Sequence, residues 1–167
     1  GVPAVLALLV AASSAARAQE TRCERGDVEV HALTFSGNAA FDDATLAAGI
    51  VTTPSSFLRR LFRFGGTRRC LDRREFPADR LRLIVWYRNH GFADATVDTV
   101  VTPLSRNRIE VRFAITEGAP VLVDTVRFEG MDAVPERVAL LRGLPTQVGG
   151  RFDRYANRAT KDTLARR

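Results

Sequence analysis

The most regular pattern of apolar and polar residues lies between positions 108 and 116 of the chain. Apolar side chains occupy every second position there: Ile109, Val111, Phe113 and Ile115. Such alternation predicts a β-strand with one buried and one solvated face. A second stretch, residues 95–102, comes before it and is separated from it by a short turn at 103–107. The two stretches therefore predict an antiparallel hairpin.

A strand and a short helix are predicted upstream of the hairpin. Residues 28–35 have the apolar spacing of a strand, and Gly37 and Asn38 supply a turn after it. Asp42 and Asp43 stand before a run rich in alanine and leucine that ends near residue 48. Because an aspartate in this place caps the free N–H groups of a first helical turn, we predict a short helix over this run.

A longer helix is predicted from Pro77 to about Asn89. Proline suits the first turn of a helix, and Gly91 suits a left-handed cap after the last turn. The apolar face of this helix is predicted to contain Leu81, Leu83, Ile84, Val85 and Tyr87. The predicted order of elements is therefore strand, helix, helix, strand, strand.

The start of this pattern occurs a second time. Residues 121–130 repeat residues 28–37 at a constant offset of 93 positions. The coinciding residues include Phe35 with Phe128 and Gly37 with Gly130. Helices from about 135 to 142 and from about 152 onward would continue the second copy. A repeat of this length predicts two small domains in tandem, the second of them incomplete.

The first eighteen residues have the features of a secretory signal peptide. An apolar stretch at 2–12 is followed by small residues and then by Ala16-Arg17-Ala18, and small side chains in this spacing suit signal peptidase. The apolar stretch is shorter than the roughly 20 residues that a membrane-spanning helix needs. We expect cleavage before Gln19, and the alternative is an anchor that stays in the membrane.

Composition and charge narrow the class of protein. An apolar fraction of 46% is enough for a packed core. The net charge of +6 arises from 25 basic and 19 acidic residues, and every basic residue except Lys161 is arginine. Because this bias is typical of a GC-rich coding sequence, the charge is weak support for a nucleic-acid partner. Together with the export signal, it leads us to expect none.

The chain has two cysteines, Cys23 and Cys70. In an oxidising compartment they could form a disulfide, but spacing alone leaves both a bridge and two free thiols open. They are too few and too far apart for a zinc site. His31 and His90 have no carboxylate or cysteine at the spacing of a metal site or a catalytic triad. We therefore predict no catalytic site, no metal and no cofactor.

Four short motifs, in order, resemble the POTRA domain, the polypeptide-transport-associated repeat. They comprise Phe35, Gly37 and Asn38 after the first strand, then Tyr87, then Gly91 and Phe92, and finally Glu117 and Gly118. The resemblance implies an α+β fold with the order β-α-α-β-β, in which a small mixed sheet packs against two helices. It implies a first, complete domain at 28–118 and a second, partial one at 119–167, behind a signal peptide at 1–18 and a leader at 19–27. The matching residues, including Phe128 and Gly130 of the second copy, are interpreted as scaffold residues.

The resemblance also implies a function. POTRA repeats precede the barrel of BamA-like and TamA-like outer-membrane proteins. This chain is accordingly expected in the periplasm, attached to the outer membrane through a C-terminal barrel beyond Arg167. It would receive unfolded outer-membrane proteins or periplasmic accessory proteins by strand addition at the edge strand 95–102, through Ala95, Val97, Thr99 and Val101. The alternative is a single-pass inner-membrane envelope or cell-division protein with one POTRA domain.

The stretch between the two predicted helices, residues 52–74, is longer and more basic than this family usually has. Drawn as a helix, residues 57–64 place Phe57, Leu58, Leu61 and Phe62 on one side and Arg59, Arg60 and Arg63 on the other. One hypothesis is a membrane or partner surface. The other is a lid whose aromatic side chains complete the core while the arginines stay in water.

Overall fold

The computed structural model describes residues 23–24, 26–62, 65–130, 136, 139 and 141–166. The expected signal peptide, Arg63 and half of the helix expected at 135–142 lie outside these residues. The described part contains one three-stranded sheet, formed by β1 (Glu29–Ser36), β2 (Thr96–Ser105) and β3 (Arg108–Thr116). Their order is β1-β3-β2, with β1 parallel and β2 antiparallel to the central strand. The predicted α+β fold with a small mixed sheet is confirmed.

In the described residues four helices accompany the sheet: α1 (Asp43–Ala48), α2 (Phe57–Phe62), α3 (Phe76–Asn89) and α4 (Arg154–Leu164). The N-cap of α1 is Asp42, whose carboxylate accepts a hydrogen bond from the N–H of Thr45, and this bond lowers the pKa of Asp42. Asp153 caps α4 in the same way. The order of elements is the predicted one, with α2 as an additional short helix inside the basic stretch.

The core lies between the sheet and the helices α1 and α3. The alternate residues of β3 that the sequence pattern selected are all buried, as are Leu46 on α1 and Leu83 on α3. Leu81 and Val85 were predicted on the same buried face of α3, and this prediction is wrong, because each is 55% exposed. Helix α3 therefore buries a narrower strip of apolar side chains than its sequence predicted.

Two strand predictions also need correction. β2 runs on to Ser105, so Pro103 belongs to the strand and only Arg106 and Asn107 separate it from β3. The stretch 121–130, expected as the first strand of a second copy, forms no strand. Leu122 makes an isolated β-bridge with Arg151, and backbone hydrogen bonds join residues 121–123 to residues 149–152.

Candidate functional site

The outer side of β2 is an open sheet edge. Among the described residues, β2 pairs with β3 alone. Pro103 has no N–H group, so it fits the ladder only at a position whose backbone points away from β3. Since backbone groups alternate along an antiparallel strand, the N–H groups of Val97, Thr99 and Val101 also point outward. Three donors therefore lie along this edge at every second residue.

The side chains at these outward positions become more exposed along the strand. Val97 is buried in the core, Thr99 is half-buried, and Val101 is exposed. Ala95, which the sequence placed on the same edge, precedes the strand, and its N–H donates to the carbonyl of Phe92. The open edge therefore begins after Ala95 and extends to the end of β2.

The opposite edge of the sheet is covered at its N-terminal end. Residues 52–74, which we call the strap, run beside β1 there. Val30 donates to the carbonyl of Arg69 at 2.9 Å and accepts from the N–H of Ser55 at 2.8 Å, and Leu71 donates to the carbonyl of Val28 at 2.9 Å. The strap thus satisfies backbone groups that would otherwise be open to a further strand.

A buried carboxylate fixes the strap to β1. The side chain of Glu29 is 7% exposed and accepts a hydrogen bond from the hydroxyl of Ser55 at 2.8 Å and from the Nε of Arg59 at 3.0 Å. Arg68 Nε lies 3.7 Å from the second carboxylate oxygen. A buried carboxylate is tolerated only when it is paired and hydrogen-bonded in this way. Glu29 and the two arginines therefore hold the strap by charge as well as by backbone hydrogen bonds.

A disulfide ties the strap to the leader. Cys23 and Cys70 are bonded, with their Cα atoms 5.5 Å apart, and 47 positions separate them in the sequence. The backbone of Cys70 also forms an isolated antiparallel β-bridge with that of Glu29 in β1. The cross-link therefore lies beside the buried carboxylate, and both act on the same edge of the sheet.

Helix α2 lies within the strap, but its apolar side chains do not complete the core. Phe57, Leu58, Leu61 and Phe62 are each more than half exposed. Arg59, which was expected in water with the other arginines, faces the domain and pairs with Glu29. The lid hypothesis is therefore wrong. Arg60 is exposed, and its guanidinium carbon lies 6.0 Å from the centre of the Phe57 ring.

A family model described as "Surface antigen variable number repeat", the POTRA family, matches residues 28–118 of this chain. The chain belongs to the POTRA family. The matched residues include the whole sheet, the strap and the first three helices. The family match therefore covers both sheet edges, the open β2 edge and the partly covered β1 edge.

Two solved structures contain similar regions. The crystal structure of POTRA domains 3–5 of BamA from Haemophilus influenzae matches 86% of this chain at 20% identity with a TM-score of 0.47. The crystal structure of BamA from Haemophilus ducreyi lacking POTRA domains 1–3 matches 84% of it at 18% identity with a TM-score of 0.43. The chain spans 56% of the first structure and 24% of the second.

The residues that carried the resemblance have structural contacts in this POTRA domain. Gly37 has a φ of +79°, and a Cβ there would lie 2.0 Å from the carbonyl oxygen of Ile115, so only glycine fits. The Asn38 side chain donates to the carbonyl of Phe41.

Tyr87 is fully buried and its hydroxyl donates to Glu117 at 3.1 Å. Burial, and then this hydrogen bond, raise the pKa of Tyr87.

Most of the remaining signature residues lie at or near the contact between the domain and residues 119–152. A Cβ at Gly91 would lie 2.2 Å from the carbonyl oxygen of Phe152, and the Gly91 carbonyl accepts from the N–H of Val121 at 2.7 Å. The guanidinium of Arg151 lies over the rings of Phe41 and Phe92, 5.2 and 5.1 Å from their centres. Gly118 and Gly130 have φ of +74° and +75°. Phe128 is partly buried.

Sequence reasoning missed two carboxylates that organise the POTRA domain, Glu29 and Asp79, and named a third, Glu117, only as part of the family motif. Glu29 anchors the strap, and Glu117 accepts from Tyr87 and from the N–H of Ala40. Asp79, fully buried, accepts from the N–H groups of Val51 and Thr52. A charged residue at an inward position of a predicted strand or helix is the signal that could have indicated them.

The described residues lack a metal-binding cluster and a helix that could span a membrane. No three histidine, cysteine, aspartate or glutamate side chains come together there as ligands for a metal ion. None of the helices in the described part is both long enough and apolar enough to cross a bilayer.

Proposed function

We propose that this chain is the periplasmic POTRA region of an outer-membrane protein assembly or translocation factor. It binds unfolded outer-membrane proteins, or periplasmic accessory proteins, by strand addition at β2 and passes them to a barrel C-terminal to it. It acts as a binding module, without catalysis or a cofactor. The observation that carries the proposal is the open edge of β2 in a domain whose β1 edge is covered at its N-terminal end by the strap.

Strand addition suits clients that share a conformation but no sequence. The outward N–H groups of Val97, Thr99 and Val101 offer donors to the carbonyls of any extended chain. Backbone hydrogen bonds do not discriminate between side chains, so binding should be weak and tolerant of sequence. Val101 and Leu104 are exposed at the end of β2, and they can pack against the apolar residues that alternate along an outer-membrane strand.

The backbone of Thr99 provides the decisive experiment. A Thr99→Pro variant loses an outward N–H while the ladder to β3 keeps its bonds. The matched control is Thr99→Ala, which removes the side chain and keeps the N–H. A ten-residue peptide from an outer-membrane strand is titrated into each isotope-labelled protein and followed by NMR. We expect shifts along β2 in the wild type and in the alanine variant, and much smaller shifts in the proline variant.

Two results would overturn the proposal. One is unchanged peptide-induced shifts along β2 in a proline variant whose spectrum shows it to be folded. The other is a set of shifts confined to residues away from β2. Peptides N-methylated at every second residue add an independent control, because they lose donors on one edge only and should bind when their unmodified edge faces β2.

Periplasmic location forms part of the proposal and has its own test. We expect export with cleavage after Ala18, so that the mature chain begins at Gln19. Mass spectrometry of the protein recovered from the cell envelope measures this directly. An uncleaved chain in the inner membrane would instead support the anchored envelope protein.

A further inference from the structure

Helix α2 is oriented with its apolar side chains outward, the reverse of the usual arrangement of a surface helix. A surface helix normally buries its apolar side chains and leaves its arginines in water. Here Phe57, Leu58, Leu61 and Phe62 are 65%, 56%, 58% and 52% exposed, and we call these four residues the α2 patch. The side chain of Arg59 points toward the domain instead and is 27% exposed. Four large apolar side chains on one six-residue helix therefore face outward.

Polar contacts of Ser55 and Arg59 prevent the α2 patch from turning inward. Ser55, just before the helix, is 1% exposed, and its hydroxyl donates to Glu29 and accepts from the N–H of Arg69. Arg59 occupies the position beside Glu29 that an apolar side chain would need. Turning the helix over would leave the buried carboxylate of Glu29 without its nearest cation, which is costly. The polar contacts thus fix the outward direction of the patch.

The charge of the whole chain is concentrated around this patch. Residues 51–74 contain seven arginines and one acidic residue, Asp72, so their net charge of +6 equals that of the entire chain. Acidic and basic residues elsewhere are balanced. Arg59 and Arg68 are engaged with Glu29, whereas Arg60, Arg73 and Arg74 are exposed. The apolar patch therefore lies in a strongly positive region of the chain.

We propose that the α2 patch docks on the surface of an anionic lipid bilayer. Phenylalanine and leucine side chains enter the boundary between headgroups and acyl chains, while neighbouring arginines contact the lipid phosphates. A helix of six residues is about 9 Å long, which suits insertion into one interface. A second copy of the chain is a poor occupant, because two positive regions would face each other. The docking surface is separate from the β2 edge and does not depend on strand addition.

The first test compares two pairs of equally exposed apolar residues in the full chain. Leu58→Ser with Leu61→Ser alters the patch, and Leu81→Ser with Val85→Ser on α3 is the matched control. Co-sedimentation is measured with vesicles of phosphatidylglycerol and phosphatidylcholine, and with phosphatidylcholine alone. We expect the wild type and the control pair to bind the anionic vesicles, and the patch pair to bind them at least roughly tenfold more weakly.

The second test measures charge and position. Changing Arg60, Arg73 and Arg74 to glutamine should weaken binding roughly fivefold for each charge removed, and added salt should weaken the binding of the wild type.

Tryptophan at position 61, introduced as Leu61→Trp, should be quenched by brominated acyl chains, and Leu81→Trp should not. Because quenching depends on the position of the introduced tryptophan, this measurement distinguishes membrane contact by α2 from membrane contact by the N-terminal segment.

Several outcomes would overturn the proposal. Equal binding of the patch pair and the wild type would do so if circular dichroism shows both to be folded. Equal quenching at positions 61 and 81 would also count against it, as would equal binding to neutral and anionic vesicles. If the wild type binds no vesicles but dimerises in sedimentation experiments, and the patch pair does not dimerise, the patch is an interface between two copies.

Discussion

The two edges of the sheet differ in what covers them. At the N-terminal end of β1, the strap supplies three backbone hydrogen bonds, and a buried carboxylate and a disulfide hold the strap in place. Along β2, the described residues supply no partner other than β3. An uncovered edge is a template for any extended chain, so proteins usually block it or use it. This domain blocks the N-terminal end of the β1 edge and leaves the β2 edge available along its length.

Removing the disulfide should have the largest effect on this difference. In a variant with Cys23→Ala and Cys70→Ala, the free energy of unfolding should fall by about 4 kcal/mol, because the cross-link closes a long loop in the unfolded chain. Denaturant unfolding measures the loss, and reducing the wild type provides the control. Hydrogen exchange at the Val30 amide should accelerate more than exchange in β3. An unchanged midpoint would mean that the strap is held without the cross-link.

Neutralising the buried carboxylate should have the next largest effect. Glu29→Gln leaves Arg59 and Arg68 without their partner, and both are partly exposed. We therefore expect a loss of about 2 kcal/mol in the free energy of unfolding, less than for a fully buried pair. Glu110→Gln on the neighbouring strand is the control and should change little. Equal effects of the two substitutions in denaturant unfolding would show that Glu29 has no special place in the closed edge.

A charge on the open edge should have the smallest effect on stability. Val101 is exposed at the outer end of β2, so Val101→Lys should change the free energy of unfolding by no more than about 0.5 kcal/mol. Peptide binding should nevertheless weaken, because lysine on an edge strand disfavours pairing with another chain. Denaturant unfolding and the NMR titration measure the two effects separately. Full peptide binding by this variant would argue that clients do not use this part of β2.

The comparison also shows where sequence patterns were sufficient. The strand at 108–116 was predicted with the bounds that the structure has, and α1 begins after the aspartate expected to cap it. Both depend on interactions within a few residues: alternation along a strand, and a side chain bonded to the next turn. The positive φ of Gly37 is also a local property, whereas its close approach to Ile115 is a contact with a distant strand.

The orientation of α2 was decided by tertiary structure alone. A helical projection of residues 57–62 shows which side chains lie together, but it does not show which side faces the domain. The usual assumption is that the apolar side is buried, and here Glu29, about thirty positions earlier in the chain, reverses it by pairing with Arg59. The strap and the disulfide are likewise contacts between distant segments. The sequence by itself determined strand β3, the capped helix α1 and the family signature. Only the tertiary structure decided which sheet edge is covered and which residues face outward, because a buried charge selects its partner by proximity in space.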